Sequence, residues 1–279
     1  MRNRFLWIFL WFFGVLPVSA QDLTHLTPLT TADEARAWQA VGRIEVEGNG
    51  FCTGALISDR HVLTAAHCVY SQTLEAIVKP GDVVFRAGWR DGRAAAVRTA
   101  RRFVVHPDYT FTGRDKVARV GSDLAVIELD LPIRDPAITP FERDASLEFG
   151  DEVMVVSYAS GRAEVPSLQK LCHVLADREP VMVYSCTVAF GASGSPIFVQ
   201  SDTGPRIASV ISAMAQWRDR NVALGATLGD PVDRLLEELK REDPVFNGKP
   251  AKGEKTSIAQ QLGRGGGERR YLLLPQIGD

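Results

Sequence analysis

Leu63-Thr64-Ala65-Ala66-His67-Cys68 is a short apolar run that ends on a histidine beside a cysteine. Two more strings join it: Ser122-Asp123-Leu124-Ala125-Val126-Ile127 and Gly191-Ala192-Ser193-Gly194-Ser195-Pro196. Taken singly, each has a plain reading: a packed core histidine, an aspartate capping a turn, a flexible Gly/Ser loop. Together they hold the parts of one chemistry. A serine hydroxyl is a weak nucleophile until a neighbouring base takes its proton. Imidazole titrates in the right range to accept that proton and return it. A carboxylate behind the ring fixes its tautomer, and small residues beside the serine let backbone N–H groups face a developing oxyanion.

The order His67, Asp123, Ser193 narrows the fold. Subtilisins run Asp, His, Ser and α/β-hydrolases run Ser, Asp or Glu, His, whereas His, Asp, Ser is the order of the chymotrypsin group. The string around Ser193 is not the Gly-x-Ser-x-Gly elbow, because Ser195 stands where its last glycine would be. Nor does the chain alternate strands with helices as that elbow requires.

Working outward, short β-type runs fill most of the chain. They lie near Val41–Val46, Phe51–Ile57, Val62–Ala65, Val83–Ala87, Ala96–Val105 and Leu124–Leu129, then Glu152–Tyr158, Leu168–Leu175, Val181–Thr187, Pro196–Val199, Ile207–Met214 and Val222–Leu228. Turn residues such as Pro80-Gly81-Asp82 and Asp91-Gly92 separate them,. Many strands and little helix predict an all-β protein of sandwiches or closed barrels, with Pro132–Pro140 as a bridge between halves. One terminal helix is expected after Asp230, with Pro231 at its first position and leucines at helical spacing,.

The 279-residue chain has a near-neutral net charge of −2, which gives no reason to expect nucleic acid or an anionic membrane as partner,. Residues 1–20 read as a signal peptide. Arg2 and Arg4 form a basic start, Phe5 to Leu16 is apolar, and Val18-Ser19-Ala20 is a small-residue cleavage site,. An uncleaved anchor is the alternative. Residues 21–39 read as a loose polar leader. Residues 243–279 read as a flexible basic tail, with six basic against two acidic residues between Asn247 and Arg270,. Export favours disulfides among Cys52, Cys68, Cys172 and Cys186, for which three connectivities exist,. The local pairing, Cys52–Cys68 with Cys172–Cys186, is the expected one. A zinc site is the competing reading, but no Cys-x-x-Cys or close His pair accompanies these cysteines.

From Val41 to Leu239 the chain resembles the trypsin/chymotrypsin-like serine proteases, most closely the bacterial branch that includes the glutamyl endopeptidases. The residues Thr64-Ala65-Ala66-His67-Cys68, Asp123-Leu124-Ala125-Val126-Ile127 and Gly191-Ala192-Ser193-Gly194-Ser195-Pro196 carry the likeness. The resemblance implies two packed six-stranded antiparallel β-barrels, here 40–135 and 136–242, with the site in the cleft between them. It implies His67 as general base, Asp123 as its orienting carboxylate, Ser193 as nucleophile, and the N–H groups of Gly191 and Ser193 as an oxyanion hole. Ser212 matches the family serine that supports the aspartate. Cys52–Cys68 looks like the family disulfide beside the histidine, whereas Cys172–Cys186 has no counterpart. His106 reads as structural, and His25, His61 and His173 as ordinary polar positions.

Two departures stand out. Animal digestive members carry an aspartate before the nucleophile, paired with a freed N-terminus; here Ala192 holds that place and no Ile-Val-Gly-Gly start is present. The pocket positions implied by the family are Thr187, Val188, Ser212, Ala213 and Met214, without the aspartate of trypsins or the histidine of glutamyl enzymes, since Ile211 holds the latter's place. The expectation is therefore a secreted endopeptidase, periplasmic or extracellular, acting on protein or peptide through an acyl-enzyme. It would need no cofactor, metal or nucleic acid, would not insert stably in a membrane, and would prefer small or medium uncharged side chains before the scissile bond. A catalytically silent binding module on the same fold is the alternative.

Overall fold

Alternation of buried and half-exposed residues along Val41-Gly42-Arg43-Ile44-Glu45-Val46 shows how the strands form. Gly42, Ile44 and Val46 face a core while Arg43 and Glu45 line the opposite face, where Val41 is buried too,. The computed structural model describes residues 24–242, apart from 48–49, 72, 113–114 and 144–145. A short strand β1 (Thr27–Pro28), helix α1 (Ala32–Ala35) and a 3₁₀ turn precede the main strands.

The first barrel is closed by β2 (Val41–Val46), β3 (Gly50–Leu56), β4 (His61–Thr64), β7 (Val83–Ala87), β8 (Ala96–Val105) and β9 (Ala125–Leu129), in the order β2-β3-β4-β9-β8-β7. The small hairpin β5 (Tyr70–Ser71)–β6 (Ala76–Ile77) and helix α2 (Lys116–Gly121) are excursions from it. Strands β10 (Glu152–Ala159), β11 (Arg162–Arg178), β12 (Val181–Tyr184), β13 (Pro196–Ser201), β14 (Gly204–Trp217) and β15 (Arg220–Thr227) follow the order β11-β10-β13-β14-β15-β12. A β11–β12 pairing closes the ring. Closure removes free edges from both sheets. Helix α3 (Asp230–Glu242) buries Val232, Leu235 and Leu239 in the core. Beyond Leu239 the chain forms a second unit, Lys240–Asp279, of which only the last residues of α3 are described.

Three features differ from the sequence reading. The leader is not loose over its described part. β1 pairs with β11, Thr31 and Glu34 form a capping box at α1, and Leu29 is buried,. Trp38 packs its ring 5.2 Å from that of Phe198 and 6.1 Å from Phe141, and Phe141 meets Phe198 edge-on at 4.7 Å. These three rings join the leader to the second half of the chain. Helix α2, capped by the Asp115 carboxylate on the N–H groups of Val117 and Ala118, was not expected. Strand β11 runs seventeen residues, well beyond the expected Leu168–Leu175. The expected signal peptide and the tail from 243 lie outside the described residues.

Candidate active site

Antiparallel pairing of β4 with β9 brings the first two candidate residues together. Thr64, the last residue of β4, pairs with Ala125, the first of β9. The chain leaving β4 therefore emerges where the chain enters β9. His67 lies three residues beyond Thr64 in a 3₁₀ turn, and Asp123 two residues before Ala125, after α2. Asp123 is 2% exposed and its carboxylate is filled by donors. Oδ1 accepts the backbone N–H of His67 at 2.9 Å. Oδ2 lies 2.6 Å from His67 Nδ1 and accepts the Ser212 hydroxyl at 2.5 Å. An ionised carboxylate can only accept, so a hydrogen bond between the two places a ring proton on Nδ1.

Ser193 lies on the loop between β12 and β13, and the hydrogen bonds of Phe190–Gly194 can be accounted for peptide by peptide. The Phe190 carbonyl accepts from Ser160 N–H at 2.7 Å, and the Gly191 carbonyl from the Thr53 hydroxyl at 3.0 Å. The Ala192 carbonyl accepts from Ser195 N–H at 3.1 Å, and the Ser193 carbonyl from Thr53 N–H at 2.8 Å. On the donor side, Ala192 N–H goes to Ala189 and Gly194 N–H to Ile211. The N–H groups of Gly191 and Ser193 have no acceptor among the described residues. Two N–H donors left over on a run of peptides whose carbonyls are engaged are what an anion-binding nest requires. Glycine is required at two places in it. Gly191 has φ +94° and a Cβ there would meet the Phe51 ring at 2.4 Å. Gly194 has φ +78° and would meet Thr64 Oγ1 at 2.1 Å,.

His67, Asp123, Gly191 and Ser193 line one cleft of about 820 Å³. No direct hydrogen bond joins His67 to Ser193 among the described residues. Val188, Ala189, Ile211, Ser212, Ala213 and Met214 line it on the second-barrel side. Thr187, expected in the pocket, is instead exposed and off the lining, because its N–H is drawn to the side chain of buried Gln169 at 2.8 Å. Gln169 also donates to the Thr24 carbonyl, tying the leader to this wall. Opposite, Tyr70 and Phe111 stack with ring centroids 4.0 Å apart. Burial, reinforced by nearby Asp123, pushes the Tyr109 hydroxyl far above its ordinary range, so it stays neutral,.

The disulfides Cys52–Cys68 (Cα–Cα 6.0 Å) and Cys172–Cys186 (5.1 Å) both form. Cys52, His67 and Cys68 place potential ligand atoms within 4.8 Å of one another, but both sulfurs are in the disulfide and offer no thiolate,. Sequence reasoning missed Phe51 and Thr53. Their only signal was adjacency to Cys52, since their contacts lie about 140 residues along the chain.

A family model described as a trypsin-like peptidase domain matches residues 52–204, more than half of the chain. The chain belongs to the trypsin-like peptidases. Among curated relatives it is 36% identical over 84 residues to a trypsin of Phaedon cochleariae, covering 30% of this chain and 29% of that one. It is 33% identical over 92 residues to the serine protease filzig of Drosophila melanogaster, covering 32% of this chain and 5% of the other. The matched stretch thus spans less than a third of either relative. A solved Glu endopeptidase in complex with MPD superposes with a TM-score of 0.63 at 20% identity, covering 78% of this chain and 97% of that chain. This likeness establishes a shared fold. The trypsin-like peptidase described here therefore shares that endopeptidase's fold of two rings of strands.

Proposed function

We propose that this trypsin-like peptidase is an exported serine endopeptidase that uses His67, Asp123 and Ser193. The observation that carries the reading is the run of four peptides joining Phe190 to Gly194, whose carbonyls, those of Phe190 to Ser193, are all engaged while the N–H groups of Gly191 and Ser193 have no acceptor among the described residues. In the proposed reaction Ser193 Oγ attacks the scissile carbonyl carbon while His67 Nε2 takes the hydroxyl proton. The carbonyl oxygen becomes an oxyanion, received by the two free N–H groups. Losing one such donor typically costs about 3–4 kcal/mol of barrier. Collapse breaks the C–N bond, and the proton passes from His67 to the departing amine. Water, activated by the same imidazole, then attacks the acyl-enzyme and releases Ser193. Asp123 holds the tautomer throughout, steadied by Ser212.

Near Val188, Ile211, Ala213 and Met214 the lining is uncharged, which supports a preference for small or medium uncharged residues before the scissile bond; a buried unpaired charge there would be costly,. Two disulfides support folding in an oxidising compartment,.

The absent His67–Ser193 hydrogen bond is what a silent binding module would also display, although such bonds are often long before substrate arrives. A fluorophosphonate probe separates the two readings. The wild-type protein is expected to label at Ser193 and to cleave a peptide library, with Ser193→Ala folded, unlabelled and inert. A folded wild type that neither labels nor cleaves anything is a binding module. Dominant cleavage after Lys or Arg refutes the pocket assignment alone.

A further inference from the structure

We infer that strand β3 of the first barrel positions the oxyanion-binding loop of the second, through Thr53 and Phe51; this rests on the function proposed above. Thr53 is 0% exposed and touches the loop twice. Its N–H donates to the Ser193 carbonyl at 2.8 Å. Its hydroxyl lies 3.0 Å from the Gly191 carbonyl and 3.3 Å from that of Tyr158, and accepts the Tyr158 N–H at 3.0 Å. The hydroxyl has one proton, and the shorter contact is to Gly191. The Thr53 carbonyl in turn accepts the Thr64 hydroxyl at 2.9 Å, so Thr53 is itself held.

The consequence for the loop follows from peptide planarity. A trans peptide directs its C=O and N–H to opposite sides. Holding the Gly191 carbonyl against β3 fixes the peptide into Ala192, and holding the Ser193 carbonyl fixes the next peptide but one. The two free N–H groups lie on the peptides between and before these, so their aim depends on the same anchors. Phe51, two residues earlier and so on the same face of β3, packs its ring against Gly191 with no room for a Cβ,. The Arg43 guanidinium backs that ring at 4.6 Å and is held by Glu164 at 3.0 Å. Ala192 has no carboxylate with which to pair an ammonium, and these contacts from β3 stand in for such a brace.

The test compares Thr53→Val, Thr53→Ser and Phe51→Leu, with kcat and KM on a cleaved peptide and affinity for a matching peptide aldehyde, whose adduct occupies the oxyanion position. Thr53→Val is expected to lower kcat about ten- to a hundredfold with KM within about threefold, and to weaken the aldehyde by the same factor as kcat. Thr53→Ser should stay within about threefold of wild type. Phe51→Leu, at a half-exposed position, should also weaken the aldehyde. Wild-type kcat in folded Thr53→Val overturns the inference, as does equal damage in Thr53→Ser. If thermal unfolding shows that Thr53→Val does not fold, Phe51→Leu decides, and undiminished aldehyde affinity there overturns it. A wild type inert to fluorophosphonate sinks the protease reading instead, so the two failures are distinguishable.

Discussion

Two histidines six positions apart, on β4 and the turn that follows it, meet opposite surroundings. His67 has a buried carboxylate on Nδ1 and an open cleft beside it. His61 has Ser58 Oγ at 2.9 Å from Nδ1 and sits across from Glu128. That carboxylate would favour a charged His61, but it is already held by Arg101 at 2.7 Å and Arg102 at 2.5 Å. Burial wins, and holds His61 below its ordinary value of 6.5,. The sign of the pH effect follows. The unfolded chain protonates His61 first as pH falls, so folding stability declines from about pH 6.5 downwards toward the lowered native value. His61→Gln is expected to flatten the acid side of a Tm-against-pH profile while leaving it unchanged above about pH 7.5. An unchanged slope below about pH 6.5 would show that His61 does not titrate differently on folding.

At the scale of elements, what was legible depended on whether local pattern or distant contact made the structure. Strands such as Val83–Ala87 and Ala96–Val105 announced themselves because β-type runs bounded by turn residues are a local signal,. The three strings of the site were legible for the same reason: each sits at one end of a single strand or turn. Helix α2 was not legible, because six residues with two valines give no usable helical period. The ends of β11 were lost because they are polar, Arg162-Ala163-Glu164 and Ala176-Asp177-Arg178, and lie where the strand turns into its hairpins with β10 and β12. The leader was misread for a related reason. Its composition is polar, and its order comes from one buried leucine, one tryptophan, a capping box and a pairing to β11 over a hundred residues away. A chain starting at Ala40 should therefore be less stable than one starting at Gln21 by about 2–4 kcal/mol. Tm should fall by about 5–10 °C. Equal Tm for the two starts would mean that the leader only decorates the surface.

Across the whole molecule, machinists' language describes β3 better than chemists' does. Cys52 ties the turn bearing His67, and Phe51 and Thr53 hold the loop bearing Ser193. The proposed base and nucleophile are thus both measured from one datum edge three residues long, which belongs to the first barrel alone. Errors in how the barrels dock do not accumulate between them, as tolerances do not stack when two holes are drilled from the same reference face. Damage at the aromatic junction of Trp38, Phe141 and Phe198, whose rings are off the lining of the cleft, should then leave the working distance intact. Phe141→Ala should cost about 3–5 kcal/mol of stability, yet hold kcat within about threefold at temperatures where the variant remains fully folded. A kcat that declines in step with stability would mean that alignment is inherited from the docking of the barrels and not from the strand between them.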